Sequence, residues 1–261
     1  MTNVVVLIKH VPDYTSDWKL SDSDYTLDRA AVDGIIDEIN ERAVEEALQI
    51  TEKNGGEVTI LSAGPAPATD AIRKALSMGA DKAIHIQDDA IHGSDAIQTA
   101  YLLATALGTI EGVELVIAGN EASDGRVGAV PAMIAEYLEL PHLTSLRSLE
   151  VDGDTLKGER EGDEGIYSLE ASLPAIVSVN EKINEPRFPS FKGIMAAKKK
   201  TPEVLTIADL GIEDGVVGVA NSASKVTAVT PKPPRAAGEK IVDEGDGGVK
   251  VAEYLAGQKI I

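Results

Sequence analysis

Short aliphatic runs alternate with amphipathic stretches through the first half of the chain, and this alternation limits the fold more than any other feature. "VVVLIK" (Val4 to Lys9) reads as a buried strand. A polar stretch follows, "PDYTSDWKLSDSDYTLDRAAVDG", rich in turn formers and read as a hairpin or excursion. "DEINERAVEEALQITEK" then sets Ile39, Ala43, Ala47 and Ile50 on one helical face, with Val44 and Leu48 beside it, and Gly55-Gly56 ends the unit. The alternation continues with strand "EVTILSAGP", helix "ATDAIRKALSMGA" closed at Gly79, and strand "DKAIHIQ". Helix "SDAIQTAYLLATALG" is expected to have Ser94 as its N-cap and Asp95 in its first turn. Strand "VELVIAGNEASDG" runs into a loop, and "VPAMIAEYLELP" is the next helix. Four successive β-α units predict an α/β fold, a parallel sheet with helices on both faces.

The pattern changes near Leu143. "TSLRSLEVDGDTLKGEREGDEGIYSLEASLPAIVSVN" alternates in polarity and is broken at Asp152-Gly153 and Gly162–Gly165, which predicts antiparallel strands joined by hairpin turns. Val177 and Val179 lead into a basic segment. Glu181 to Thr201 holds six basic and two acidic residues, while the rest of the chain has 18 basic and 41 acidic. From Thr201 to Ile261 the periodicity fades and "PKPPRAAGEK" reads as extended. Val216, Val217, Val226, Tyr254, Leu255, Ile260 and Ile261 make this tail too hydrophobic for a solvated linker. The expected division is therefore a 1–200 α/β domain and a 201–261 arm that lies on something else.

Composition narrows the function classes. With no cysteine, disulfides, Cys-ligated metal, Cys-bound iron–sulfur clusters and thiol catalysis are excluded. A net charge of −19 repels phosphate backbones and argues against nucleic-acid partners. It also suits a protein kept hydrated in a high-salt cytoplasm. No apolar run reaches the ~18–20 residues that span a bilayer, and the N-terminus lacks the pattern of a signal peptide. A cytoplasmic location without membrane insertion is expected.

In open α/β sheets ligands bind beyond the carboxyl ends of the strands. "SAGPA" (Ser62 to Ala66) is one such loop, and "AGNEASDGRVGAVPA" (Ala118 to Ala132) is the richer one. Asp124-Gly125-Arg126-Val127-Gly128 precedes a helix, an arrangement that lets backbone N–H groups approach a phosphate. A tight strand-to-helix turn with an exposed arginine explains the same residues. The stretch is neither G-x-G-x-x-G nor a Walker A loop. His10, His85, His92 and His142 lie in separate units without metal-ligand spacing. Lys9 and His10 end the first strand, to face a ligand or to cap. Glu45-Glu46 reads as a solvated helix face, with Glu45 free to bond a neighbouring loop. No acid, base or nucleophile constellation emerges, which points to a carrier or binding protein rather than an enzyme.

The basic segment carries a resemblance. "INEPRFPSFKGIMAAKKK" is similar to the signature of electron transfer flavoprotein beta subunits, through Asn184, Pro186, Arg187, Phe191, Ile194, Met195, Ala197 and Lys198, Lys199 and Lys200. "VLIKHVPD", "AVEEAL", "ALSMGADKAIHI", "LPAIVSVNEKINEPR" and "PPRAAGEK" extend it over nearly the whole chain. The resemblance implies a Rossmann-like adenine-nucleotide-binding fold of the HUP type with an extended C-terminal arm. It also implies a heterodimer whose alpha subunit holds FAD while this subunit holds AMP, or a second FAD in the bifurcating branch. Electrons would pass from flavin-containing dehydrogenases, including those of fatty acid β-oxidation, towards a quinone reductase. The implied nucleotide site comprises Leu7, Asp37, Glu38, Ile39, Asn40, Ala63, Asn120, Asp124, Gly125, Arg126, Val127, Gly128, Ala129 and Val130. Two stretches depart from the common pattern: Asp37-Glu38-Ile39 stands where many members have Asn-Pro-Phe, and Ala129-Val130-Pro131 where many have Gln-Thr-Gly. The segment 181–200 is implied to be the recognition loop, with Pro186, Arg187, Phe191, Ile194, Met195 and Lys198–Lys200 facing partner dehydrogenases. From the residues alone, Phe188 and Phe191 suit the chain's own core equally well; the prolines and Lys192-Gly193 favour an exposed turn around Phe191.

Two other readings share the architecture. A stand-alone nucleotide-binding protein of the universal-stress type has no need of the basic segment or the hydrophobic arm. An ATP-pyrophosphatase-type enzyme requires an S-G-G-x-D-S loop after the first strand, and "KHVPDYTSD" offers none.

Overall fold

The computed structural model describes residues 1–261 except Ala236, Glu239 and Ile241. Strand β1 (Val4–Leu7) is flanked by β4 (Val58–Ala63) and β6 (Leu115–Gly119), both parallel to it. β5 (Lys82–Ile86) and β11 (Glu203–Leu205) extend the sheet on one side, and β10 (Ala175–Val179) and β7 (His142–Asp152) on the other. β8 (Thr155–Gly162) and β9 (Gly165–Ser172) complete a nine-stranded sheet as antiparallel hairpins. β2 (His10–Pro12) and β3 (Gly34–Ile36) pair separately, so the polar stretch between them is the expected hairpin excursion.

The inner strands bury both faces because both are covered. Val4, Val6 and Ile8 face α1 (Glu38–Asn54) and α2 (Thr69–Met78), where Ala43, Val44, Ala47, Ile72 and Leu76 complete one core. Val5 and Leu7 face α3 (Ala96–Gly108) and α4 (Val130–Leu138) with Leu102, Ala106 and Ile134. Such residues explain the near-continuous aliphatic runs, each buried side chain contributing ~1.5–3 kcal/mol. After β1 the chain runs through the β2–β3 pair into α1 on one face, and after β6 into α4 on the other, so a crevice opens at the carboxyl ends of these adjacent strands.

Three local expectations shift. The N-cap of α3 is Asp95, not Ser94: Asp95 Oδ1 accepts from Gln98 N at 2.9 Å, and Gln98 Oε1 accepts from Asp95 N at 3.1 Å. This reciprocal box outcompetes the serine, whose hydroxyl instead accepts from Gly218 N. Phe191 does not sit on a turn but opens the short helix α5 (Phe191–Ala197), with Ser190 as its N-cap. The compact division falls after Thr227, later than residue 201. β11 joins the main sheet through β5, and Ile207, Leu210, Ile212 and Val217 are buried against the α3 side, which ties 201–227 to the α/β unit. The second unit, Ala228–Ile261, carries α6 (Gly247–Gly257), on which Val249, Val251 and Tyr254 are exposed. The matched stretch "PPRAAGEK" includes Ala236 and Glu239, outside the described residues. Among the described residues no helix is long and apolar enough to cross a membrane.

Candidate functional site

The crevice is assembled where β1, α1 and β6 meet. Leu7 closes β1, and Asp37 caps α1 by accepting from Ile39 N. Asp37 Oδ2 also accepts from Ser123 N at 2.7 Å, drawing the loop after β6 onto the start of the helix. Asn40 Oδ1 accepts from Lys9 N at 2.8 Å, joining the same helix to the end of β1. Gly119 permits this closeness: a Cβ there would lie 2.5 Å from Ile39 Cγ2 and 2.8 Å from Asn40 Nδ2. Of the residues expected here, Asp37 and Asn40 are buried, Ile39 is half-buried and Glu38 points to solvent. Ala63 ends β4, and the following turn is held from beneath by buried His85, whose Nε2 lies 3.0 Å from Gly64 O. Burial pushes the His85 imidazole below its ordinary pKa, so the neutral ring donates to that carbonyl.

Asp124 is the electrostatic centre of the loop. Its side chain is almost inaccessible, and it accepts from Lys9 Nζ at 2.7 Å and from the Arg29 guanidinium. Burial alone would raise its pKa, but Lys9 and Arg29 outweigh that and hold it below the ordinary value. Lys9, still partly exposed, neutralises this carboxylate rather than capping the strand, and Arg29 reaches it from the β2–β3 excursion. Beyond Asp124 the chain has positive φ at Arg126 (48°) and Gly128 (67°). Arg126 is exposed, its guanidinium 3.7 Å from Glu121. The N–H groups of Val127, Gly128, Ala129 and Val130 take no hydrogen bond among the described residues, and α4 begins at Val130 without a side-chain cap. Unpaired donors at an uncapped helix start suit an anionic group such as a phosphate.

The basic segment lies elsewhere on the same unit. Arg187 Nε and NH2 donate to the Glu45 carboxylate at 2.7 and 3.0 Å, and NH1 and NH2 donate to Glu52 at 2.5 and 3.1 Å. Asn184 Nδ2 donates to Glu46 Oε2 at 2.9 Å, and the Arg42 guanidinium donates to Asn184 O. Glu45 and Glu46 are therefore not a solvated face. Both are buried; Glu45 does bond the neighbouring loop, and burial raises the Glu46 pKa. Hydrogen bonds from Arg187 and Gln49 outweigh burial and lower that of Glu45. Arg187, expected to face a partner, spends its guanidinium within the chain. Lys200 Nζ donates to Ala80 O at 2.6 Å, whereas Lys198 and Lys199 are exposed. Phe188 is 94% and Phe191 81% exposed, with Ile194 and Met195 also exposed beside them, so neither phenylalanine is a core residue.

Comparison with known proteins decides the family. The electron transfer flavoprotein domain matches residues 24–210. The electron transfer flavoprotein subunit beta of Mycobacterium leprae (strain TN) is 66% identical over the full length of both chains. That of Thermoanaerobacterium thermosaccharolyticum is 39% identical over 91% of each, and that of Megasphaera elsdenii 34% over 99% of each. The chain belongs to the electron transfer flavoprotein beta subunit family. As a member it is an electron transfer protein associated with a flavin, not a catalytic enzyme. Within this beta subunit, sequence reasoning missed the Arg29–Asp124 and Asp37–Ser123 contacts. Their partners stand 95 and 86 positions apart, and no local pattern joins them.

Proposed function

We propose that this chain is the beta half of a heterodimer that takes electrons from flavin-containing dehydrogenases, among them those of fatty acid β-oxidation, and passes them towards a quinone reductase. An alpha subunit holds the FAD that carries the electrons. The beta crevice holds an adenine nucleotide, AMP, with its phosphate at the free N–H groups of Val127 to Val130 and its nucleoside near Leu7, Asp37–Asn40, Ala63 and Asn120. Asp124 is already neutralised by Lys9 and Arg29, so it shapes the loop without repelling the anion. The tail from Ala228 lies on the alpha subunit. Co-expression with that subunit and acid extraction should return one AMP and one FAD per heterodimer; two FAD would replace the AMP assignment with the bifurcating arrangement, and FAD alone would remove the nucleotide from this crevice.

One observation carries the docking role: Phe188 and Phe191 project into solvent from a segment otherwise fastened to the fold. An apolar side chain so exposed gains only when a partner covers it. Burying a Phe contributes ~1.5–3 kcal/mol, and ~1.4 kcal/mol is tenfold in affinity. Phe191→Ala should therefore weaken dehydrogenase binding about ten- to a hundredfold while the melting temperature and flavin content stay unchanged. A large fall in melting temperature with unchanged affinity would refute the docking role.

A further inference from the structure

We infer that Arg187 is a positioning residue for docking: clamped between Glu45 and Glu52, it fixes the path of the segment so that Phe188 and Phe191 are presented together. The inference rests on the docking role proposed above and assigns the device that makes it work.

The geometry is specific. Glu45 and Glu52 stand two turns apart on α1, and one guanidinium spans both through four N–H···O contacts. Arg187 N adds a fifth, to Glu45 Oε2 at 3.1 Å, so backbone and side chain are both tied at this point. Gln49 Nε2 donates to the other Glu45 oxygen at 2.8 Å and completes the shell of the buried carboxylate. Only a planar fork makes four contacts to two carboxylates in this way; an ammonium has three donors on a single atom and cannot reproduce them. Phe188 follows Arg187 directly. On the far side of Phe191 the chain is tied again, where Gly193 packs against the Ser77 carbonyl and Lys200 reaches Ala80 O. The two exposed aromatics therefore stand between fixed points rather than on a free loop.

The chemistry favours position over stability as the purpose. These pairs contribute little net stability, because Glu45 loses its water on burial while the half-exposed Arg187–Glu52 contact is screened by solvent. A pair of this kind instead specifies one arrangement. Ordering a loop on binding weakens affinity, and holding it in its bound path beforehand removes that penalty. Arg187 supplies this preorganisation without itself meeting the partner.

The test uses the flavin-loaded heterodimer and, as probe, a purified flavin-containing dehydrogenase of fatty acid β-oxidation. KM and kcat for electron transfer are measured against dehydrogenase concentration, together with amide exchange of residues 188–193. Arg187→Lys keeps the charge but not the fork; it should raise KM about tenfold at unchanged kcat and speed exchange across 188–193. Glu52→Gln leaves no stranded buried charge and cannot be confused with unfolding; it should raise KM roughly threefold. Phe191→Ala is the control. If Phe191→Ala raises KM while both clamp variants leave it at the wild-type value, the positioning role of Arg187 is wrong and the docking role stands. If Phe191→Ala also leaves KM unchanged, the docking role itself has failed and the inference falls with it. Unchanged exchange in Arg187→Lys would show that the clamp does not order the segment and would overturn the inference by itself.

Discussion

Asp124 shows how one residue connects distant sequence to the crevice. Its carboxylate is buried, while Lys9 and Arg29 retain 41% and 30% side-chain exposure. Asp124→Asn removes the buried charge and leaves two cations that water still reaches. The cost is then that of lost charged hydrogen bonds, about 1.5–3 kcal/mol, rather than the ~3–5 kcal/mol of a stranded buried ion. The sign of the pH dependence follows from the direction of the shift. The folded-state pKa lies below the ordinary 3.8, so the contribution is complete above that value and is lost as pH falls through the folded-state pKa. Urea unfolding should give a wild-type advantage over Asp124→Asn at pH 7 that disappears at strongly acidic pH. A difference that stays constant down to pH 2 would mean that shape, not charge, is what Asp124 contributes. None of this was legible locally: Asp124 reads as a loop aspartate, and Arg29 sits in the excursion without periodicity.

At the scale of elements, the sequence was most readable where caps and aliphatic period agree. Gly55 ends α1 as expected, with Asp37 capping its start, Gly79 closes α2, and Gly153 and Gly165 turn the hairpins. Where two cap formers stand side by side, at Ser94-Asp95, the local pattern does not decide between them, and Gln98, three positions after Asp95, settles the choice. Phe191 was expected on a turn because a short helix such as α5 has too few turns to show a period and is held by tertiary contact. Gly193 makes that contact: a Cβ there would sit 2.3 Å from the Ser77 carbonyl at the end of α2. Helix propensity alone favours Gly193→Ala by about 1 kcal/mol, but the overlap with fixed backbone costs about 1–3 kcal/mol, so the steric term wins. The variant should lift α5 and increase tryptic cleavage after Lys192 in the native state. Slower cleavage would show that propensity outweighs the contact and that α5 has room to move.

For the whole molecule, the fold class followed from the order of elements: short aliphatic strands alternating with amphipathic helices have few alternatives to a covered parallel sheet. The candidate sites divide differently. The crevice was legible as a region, through the rule that ligands sit at strand carboxyl ends, while its internal wiring was not. The basic segment was legible in the opposite sense. Its residues stood out against an acidic chain with a net charge of −19, but only the fold separates the residues that hold it, Arg187 and Lys200, from those it presents, Phe188 and Phe191. Glu45 reads as solvated because adjacent glutamates on a helix usually are; its pairing with a residue 142 positions away buries it.

The docking role proposed above places contact with electron donors at the segment around Phe191. Differential amide exchange tests it most directly. The heterodimer is compared with and without a flavin-containing dehydrogenase at saturating concentration. New protection should centre on residues 188–198, with the loop 120–130 unchanged. Protection elsewhere on this subunit, with 188–198 exchanging as fast as in the free heterodimer, would contradict it.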